Sequence, residues 1–451
     1  MRLSHLIFRE KSRYQGLTLI AALTGLLLGG CALVRLDYQF VDTLSRPFPD
    51  PSPHLVAEEV FLAAINTRTI EPDVRFLAST QLAGRARGTP GNAQARSYIV
   101  SRLKQAGLTP LFDGGFEQRT FPANGDGEIY ATNVGAFLQA GEPEAGWIAL
   151  VAHYDHLGVR GGKIHPGADD NASAVALLLA LADGLGRARP QLRRHVALVF
   201  VDAEEPPDVR TERMGSSWFW HHPPFHIGKL HCALVLDLMG GAASPGVRKA
   251  GLADVVFVLG AEASPGLARL ARRVRPEPGV EPMLIGLPMI EVMPFVSWRR
   301  FARSDYWGLR EYGRRPFLFV TTGRTPTYHT PQDTVDTLDY EKLGRLTRWV
   351  ARLVLQAAEG TEELAWTDLV ADPKADARAL LRLYPTAGDG RQFPWLLRRA
   401  LAADHARVAE LLRAWEAGAE SDLAEYRELQ LASLRLQAAL WHPPGWWFAL
   451  W

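Results

Sequence analysis

The 451-residue chain contains only two cysteines, Cys31 and Cys232, so a framework of disulfides is excluded. It has no excess of charge of either sign, with 50 basic and 49 acidic residues. A nucleic-acid partner, which would ask for a basic surface, is therefore not expected. No internal repeat is present, which removes the solenoids and propellers. Hydrophobic residues make up 47%, which suits a globular protein rather than a disordered or polytopic one. Cys232, set in the apolar run "CALVLDL", reads as a buried structural thiol.

The N-terminus differs from the rest. Arg2, Arg9, Lys11 and Arg13 precede the apolar run "GLTLIAALTGLLLGGC", which ends at Cys31. A basic segment, a short apolar segment and small residues before a cleavage point form the pattern of a secretory signal. "LLGGC" also resembles a bacterial lipobox, in which the cysteine is lipidated and becomes the first mature residue. An uncleaved anchor from about Leu17 to Val34 is the other reading. Either way the chain is expected to be exported, held at the membrane of a bacterial cell envelope and turned toward the periplasm. Residues 1–31 are thus a signal or anchor and 32–54 a tether, proline-rich in "RPFPDPSPH".

From there to about residue 358 apolar runs alternate with helical patterns. "EIYATNVGAFL", "WIALVAH", "HVALVFVDA", "CALVLDL", "DVVFVLG" and "PFLFVTT" read as strands. "LVAEEVFLAAI", "NAQARSYIVSRLKQAGL", 171–186 and "SPGLARLARRV" read as helices. Near-continuous apolar strands between helices predict a mostly parallel sheet covered on both faces, a three-layer α/β/α fold over 55–358. Ligands in such sheets gather beyond the carboxyl ends of the strands. Residues 359–451 read as an all-helical extension ending in the Trp-rich "WHPPGWWFALW".

Acids and histidines stand at those strand ends. "WIALVAHYDHLG" carries His153 and Asp155, and the next loop Asp169 and Asp170. "HVALVFVDAEEPP" carries Glu204 and Glu205, "CALVLDLMGG" carries Asp237, and "PFLFVTTGRTPTYHTPQDT" carries His329. Each alone has a plain structural reading, as a core histidine, a cap or a solvated pair. Together, at one end of one sheet, they would cost several kcal/mol per buried charge without a cation. Imidazole with carboxylate suits zinc, and two dications offset four carboxylates better than one. In "HYD" the Asp can accept from the far ring N–H of the His and fix its tautomer. In the Glu-Glu pair one carboxylate can bind metal while the other takes a proton from an activated water. An acid in the 167–171 loop can bridge the two cations.

"VAHYDHLG", "GADDNAS", "FVDAEEP", "LDLMG" and "YHTPQDT", in this order, resemble the di-zinc aminopeptidases of metallopeptidase family twenty-eight. The resemblance covers roughly 56–358 and extends to "GRARGTPGNAQARSYIVSRLKQAGL" and "RSDYWGLREYGRRPFLFV". It implies the zinc-peptidase fold and two Zn2+. His153, Asp170 and Asp237 would hold one ion, and Asp170, Glu205 and His329 the other. Glu204 would be the general base, Asp155 the orienting partner of His153, and Tyr328 a group polarising the substrate carbonyl. The implied activity is removal of N-terminal residues from peptides, by a water bridging the metals. A di-zinc carboxypeptidase or amidohydrolase, or a receptor-like relative without activity, are the other readings. The bond from Asp170 to Asn171 is implied to be cis. Two departures stand out: Ala174 replaces a glycine, and "EEPPDVRTERMGS" is longer than the usual loop after the glutamates. His165, His195, His221, His222, His226 and His231 are read as structural, and the apolar segment 285–298 as core.

Overall fold

The computed structural model describes residues 38–44, 56–121, 128–291, 304–387 and 395–440. The signal or anchor segment, Cys31, the proline-rich stretch 46–54, the part of the apolar segment from 292 to 298 and the Trp-rich tail from 441 lie outside the described residues. No helix among the described residues is long and apolar enough to cross a membrane.

Nine strands form one sheet among the described residues: β1 (Thr109–Pro110), β2 (Glu117–Thr120), β3 (Ala131–Leu138), β4 (Trp147–His153), β5 (His195–Val201), β6 (Leu230–Leu236), β7 (Val255–Leu259), β8 (Glu281–Leu284) and β9 (Phe317–Thr321). Their order is β8-β7-β9-β6-β4-β5-β3-β1, with β2 also paired to β3. The four central strands β9, β6, β4 and β5 are mutually parallel. The flanks are not: β3 runs antiparallel to β5, and β7 runs antiparallel to β9. The sheet is therefore mixed at both sides of a parallel centre.

Period-two alternation sorts the strand side chains between two apolar layers. Ile148, Leu150, Ala152, Leu198, Phe200, Leu234 and Leu318 join the first core. Ala149, Val151, Val199, Val201, Val235, Phe317 and Phe319 join the second. Because both faces are covered, the strands read as continuous apolar runs rather than alternating ones. The first core is closed by α1 (Val56–Ala64), α2 (Ile70–Leu77), α3 (Pro90–Gln105), α4 (Ala174–Ala188), and two further helices, Pro265–Arg273 and Tyr340–Glu359. Helix α4 is buried on every side from Ala174 to Leu185, which explains why its sequence is apolar all round.

The second face carries the C-terminal helices that the sequence predicts. It is covered by the short helix Gly215–His221 and by α5 (Pro373–Leu383), α6 (Trp395–Glu416) and α7 (Leu423–Ala439). After residue 359, α5 packs on the edge strand β8, α7 on α5 and on Leu287–Met289, and α6 on α5 and α7, so the helical extension is docked on the body of the fold. Residues 38–44, placed in the tether by sequence, are also docked. Gln39–Phe40 pairs in parallel with Val370–Ala371, and the amides of Thr43 and Leu44 donate to Asp372 Oδ2 at 2.8 and 2.7 Å. Asp372 also caps α5 by accepting from Ala375 N. Cys232 is fully buried, and burial pushes its thiol up to about 12, so it is inert as expected.

Candidate metal centre

The four parallel strands set the site. His153 closes β4 opposite Val201 of β5, so the two strands end level. Asp237 follows β6, and the chain after β9 turns back through Gly323 to His329. Every residue singled out at the strand ends therefore reaches the same place. Two triads of donor atoms form there, His153–Asp170–Asp237 and His156–Asp170–Glu205, all buried and sharing Asp170. His329 closes on the second.

Distances describe the cluster further. His153 Nε2 lies 3.4 Å from Asp170 Oδ1 and 3.5 Å from Asp237 Oδ1. His329 Nε2 lies 3.1 Å from both Asp170 Oδ2 and Glu205 Oε2. Yet His153 Nε2, Asp170 Oδ2, Glu205 Oε2 and Asp237 Oδ1 are buried and form no hydrogen bond among the described residues. Donors placed tetrahedrally about 2.0–2.2 Å from one zinc stand roughly 3.3–3.6 Å from each other. The separations are close to those, and buried orphan atoms of this kind call for a cation. The residues present fit zinc.

Protein charges divide the acids into two kinds. Burial pushes the Asp170 carboxyl up, but His156, His153 and His329 outweigh it and hold it well below the usual range. Burial acts likewise on Glu205, and His329 chiefly offsets it, bringing it to about 2. His329 is depressed by burial but raised further by Glu205 and Asp170, to about 9. Glu204 and Asp169 go the other way: burial lifts both well above the carboxylate range. Glu204 Oε2 sits 3.9 Å from His153 Nε2, beside the cluster rather than in its triads.

Asp169 and Asp170 have separate surroundings. Asp169 Oδ1 accepts from Gly240 N at 2.8 Å, and its carbonyl accepts from Ser173 Oγ at 2.8 Å. It is a supporting group. Asp170 faces the histidines, and its bond to Asn171 is cis, the geometry implied by the resemblance. Asn171 then ties this loop to β6, donating to Leu236 O at 3.0 Å and accepting from Leu238 N at 3.3 Å. Gly167 has φ +63°, and a Cβ there would sit 2.2 Å from Asp170 O and 2.5 Å from the His156 ring, so only glycine fits.

Asp155 differs from its expected part. Its carboxylate accepts from Glu204 N at 3.1 Å and Glu205 N at 3.2 Å, while His153 Nδ1 is 3.7 Å away. Its main task is to hold the backbone of the glutamate pair. Tyr328 is stacked on His329 with ring centroids 3.8 Å apart. His329 itself has φ +57°, and Ala203, just before Glu204, has φ +60°. Such left-handed non-glycine residues gather at functional sites, held by their surroundings.

Three residues were missed. His156, fully buried, contacts Glu205 Oε1 through Nδ1 at 2.6 Å; its signal was a second histidine in "HYDH". Asp333 accepts from Asp169 N at 2.9 Å and Asp170 N at 3.1 Å. Arg85 is wholly buried and donates to the carbonyls of Tyr154, Leu77, Pro166, Gly167 and Asp170. Asp333 and Arg85 grip the loop that aims Asp170, and both lay inside quoted motifs. His195 accepts from Ala140 N and is remote from the triads.

Fold and site define a three-layer α/β protein with a buried candidate metal centre. Residues 133–354, just under half of the chain, match the model of Peptidase family M28. It is similar to the uncharacterized protein YfbL of Escherichia coli (strain K12), 26% identical over 223 residues, 46% of this chain and 66% of that protein. The match thus spans just under two thirds of that relative's length. Among solved structures it is similar to LapB from Legionella pneumophila, with TM-score 0.52, 17% identity, and coverage of 71% of this chain and 78% of that one. It is also similar to the aminopeptidase from Aneurinibacillus sp. strain AM-1, with TM-score 0.50, 15% identity, and coverage of 70% and 99%. At such identities these structures share the fold. The family match and the donor set together support a zinc metallopeptidase.

Proposed function

We propose that the chain is a two-zinc aminopeptidase that removes N-terminal residues from peptides. The observation that carries this is Asp170, one carboxylate shared by two buried donor triads, with Glu204 beside them. His153, Asp170 and Asp237 would hold one ion, and Asp170, Glu205 and His329 the other, with His156 bracing Glu205. Zinc in this place supplies a Lewis acid and an acidified water at neutral pH. Glu204 takes the proton of the attacking water and passes it to the leaving amine. Its burial suits that task, because burial raises the proton affinity of the carboxylate. Asp155 keeps Glu204 and Glu205 in register through their backbone amides. Tyr328 faces the substrate carbonyl from beside His329. The aminopeptidase end preference follows the motif resemblance and the activity of the similar Aneurinibacillus protein.

Zinc content per chain and a panel of aminoacyl-coumarin amides, run beside N-blocked peptides and C-terminal reporters, test this reading. About two zinc per chain with cleavage confined to free N-termini is expected. Metal-free protein with full activity would sink it. The chain is further proposed to be an envelope lipoprotein modified at Cys31. Labelled palmitate should enter the intact chain in a bacterial host and fail to enter Cys31→Ser.

A further inference from the structure

Tyr38 opens the described body and follows Cys31 by seven residues. A fully extended chain of that length reaches at most about 25 Å. A membrane that holds the N-terminal apolar run therefore lies within that reach of Tyr38. Tyr38 is itself fixed on α7: its ring lies 5.3 Å from the Tyr426 ring, and its hydroxyl accepts from Gln430 Nε2 at 3.4 Å. Phe40 meets the same tyrosine at 5.3 Å. From Gln430 the helical chain continues to Leu440, about 15 Å further on at 1.5 Å per residue.

Helices α6 and α7 are paired antiparallel. Arg407 Nε donates to Glu428 Oε2 at 2.6 Å, and Arg435 Nε to Asp404 Oδ2 at 2.6 Å. The first turns of α6 therefore lie beside the end of α7. Trp395 and Leu396 open α6 there, 60% and 48% exposed. Among the described residues they are the one adjacent pair of exposed large apolar side chains. Arg398 and Arg399, a turn further on, are exposed as well. Residues 395–403 and 429–440 contain three arginines and no acid. In sequence, Trp441, Trp446, Trp447, Phe448 and Trp451 follow Leu440. Indole rings beside exposed arginines suit a bilayer surface. Tryptophan settles at the headgroup level, and each arginine is attracted by an anionic leaflet.

We propose that this end of the α6–α7 pair, with Trp395, Leu396, Arg398 and Arg399 at its surface, rests on an anionic lipid bilayer. It is a second contact beside the N-terminal one. The inference goes beyond the peptidase reading and builds on the envelope reading above. Both contacts lie along α7, so the body is held against the membrane instead of hanging from a tether. Two weak attachments on one rigid body also hold more firmly than either does alone.

An environment-sensitive NBD probe on the full chain tests the contact. It is placed at Leu396→Cys or, at the far end of the α6–α7 pair, at exposed Glu420→Cys. Wild-type chain labelled in parallel corrects for Cys31 and for the buried Cys232. In vesicles of phosphatidylethanolamine and phosphatidylglycerol, emission from position 396 should shift to the blue and be quenched by headgroup nitroxide lipids. Emission from position 420 should do neither. Arg398→Gln and Arg399→Gln should each lower the ratio of docked to free tip by about fivefold, with zinc content and turnover unchanged. Vesicle-bound chain with no quenching at 396, or with equal quenching at 396 and 420, would overturn the proposal. So would a blue shift that grows with protein concentration in the absence of lipid, because a second copy would then cover the tip. Labelled palmitate reports on Cys31 alone, so the lipoprotein reading and the tip contact can fail separately.

Discussion

The molecule buries two groups of carboxylates and treats them in opposite ways. One group lies at the carboxyl ends of β4, β5 and β6. The other lies where α5 and α7 pack against the chain following β7 and β8. There, Glu262 accepts from Gly260 N at 3.0 Å and Leu287 N at 2.9 Å. Asp376 accepts from Gly286 N at 2.7 Å and Tyr426 Oη at 2.8 Å. Glu291, nearby, is paired with Arg310. Each oxygen of Glu262 and Asp376 has a donor, and no imidazole takes part. Burial lifts Glu262 to about 8 and Asp376 to about 7, so each keeps its proton to a much higher pH than an exposed carboxyl does. At the strand ends the reverse holds: oxygens are orphaned and imidazoles face them. A count of buried acids does not mark a metal site; unsatisfied oxygens opposed by histidines do.

Substitutions at the strand ends should have the largest effects. Asp170→Asn removes the carboxylate common to both triads, so the purified variant should carry close to no zinc and show no turnover. Zinc retained at the wild-type level, measured by plasma mass spectrometry, would mean Asp170 is a strut like Asp376. Glu204→Gln should separate binding from chemistry. Turnover should fall by about 10²–10⁴, as for loss of a general base, while zinc content stays unchanged. Loss of metal instead would exchange the parts of Glu204 and Glu205.

The strand-end group was largely legible in the sequence, and the second group was not. His153, Glu204, Glu205 and Asp237 follow apolar runs directly, so locating β4, β5 and β6 locates them. The choice of Asp170 over Asp169 came from the motif resemblance alone. Arg85 and Asp333 escaped because they act through backbone groups; Asp333 is 164 residues from the amide of Asp169. The docking place of the C-terminal helices escaped for a different reason. An amphipathic helix shows which of its faces is apolar, not which surface it will cover. With α5 and α7 unplaced, nothing in the sequence sets Asp376 apart from a charge on a helix face.

His156→Asn probes the boundary between the two kinds of acid, because it removes the imidazole at Glu205 without touching an orphaned oxygen. A group that orients a ligand typically changes metal affinity by about 10–100-fold. The loss should fall on one of the two proposed ions, leaving the other at its wild-type affinity in a chelator titration. Equal weakening of both would make His156 a packing residue.

The smallest effect belongs to the satisfied group and is read as stability against pH. Asp376 has a folded pKa near 7, above its ordinary 3.8. For an acid raised by folding, the unfolded chain ionises first. Its stabilising contribution is therefore complete below about pH 4 and is lost as the pH rises toward 7. Over that window the slope is about 1.4 kcal/mol per pH unit for one proton. Asp376→Asn should accordingly flatten the fall in Tm between pH 5 and pH 7.5 relative to wild type, with zinc content and turnover unaltered. An unchanged slope would mean that Asp376 is ionised in the folded protein. The junction between α5, α7 and the sheet would then hold a charge with only a backbone amide and a phenol against it, and the contrast between the two groups of acids would fail at its quieter end.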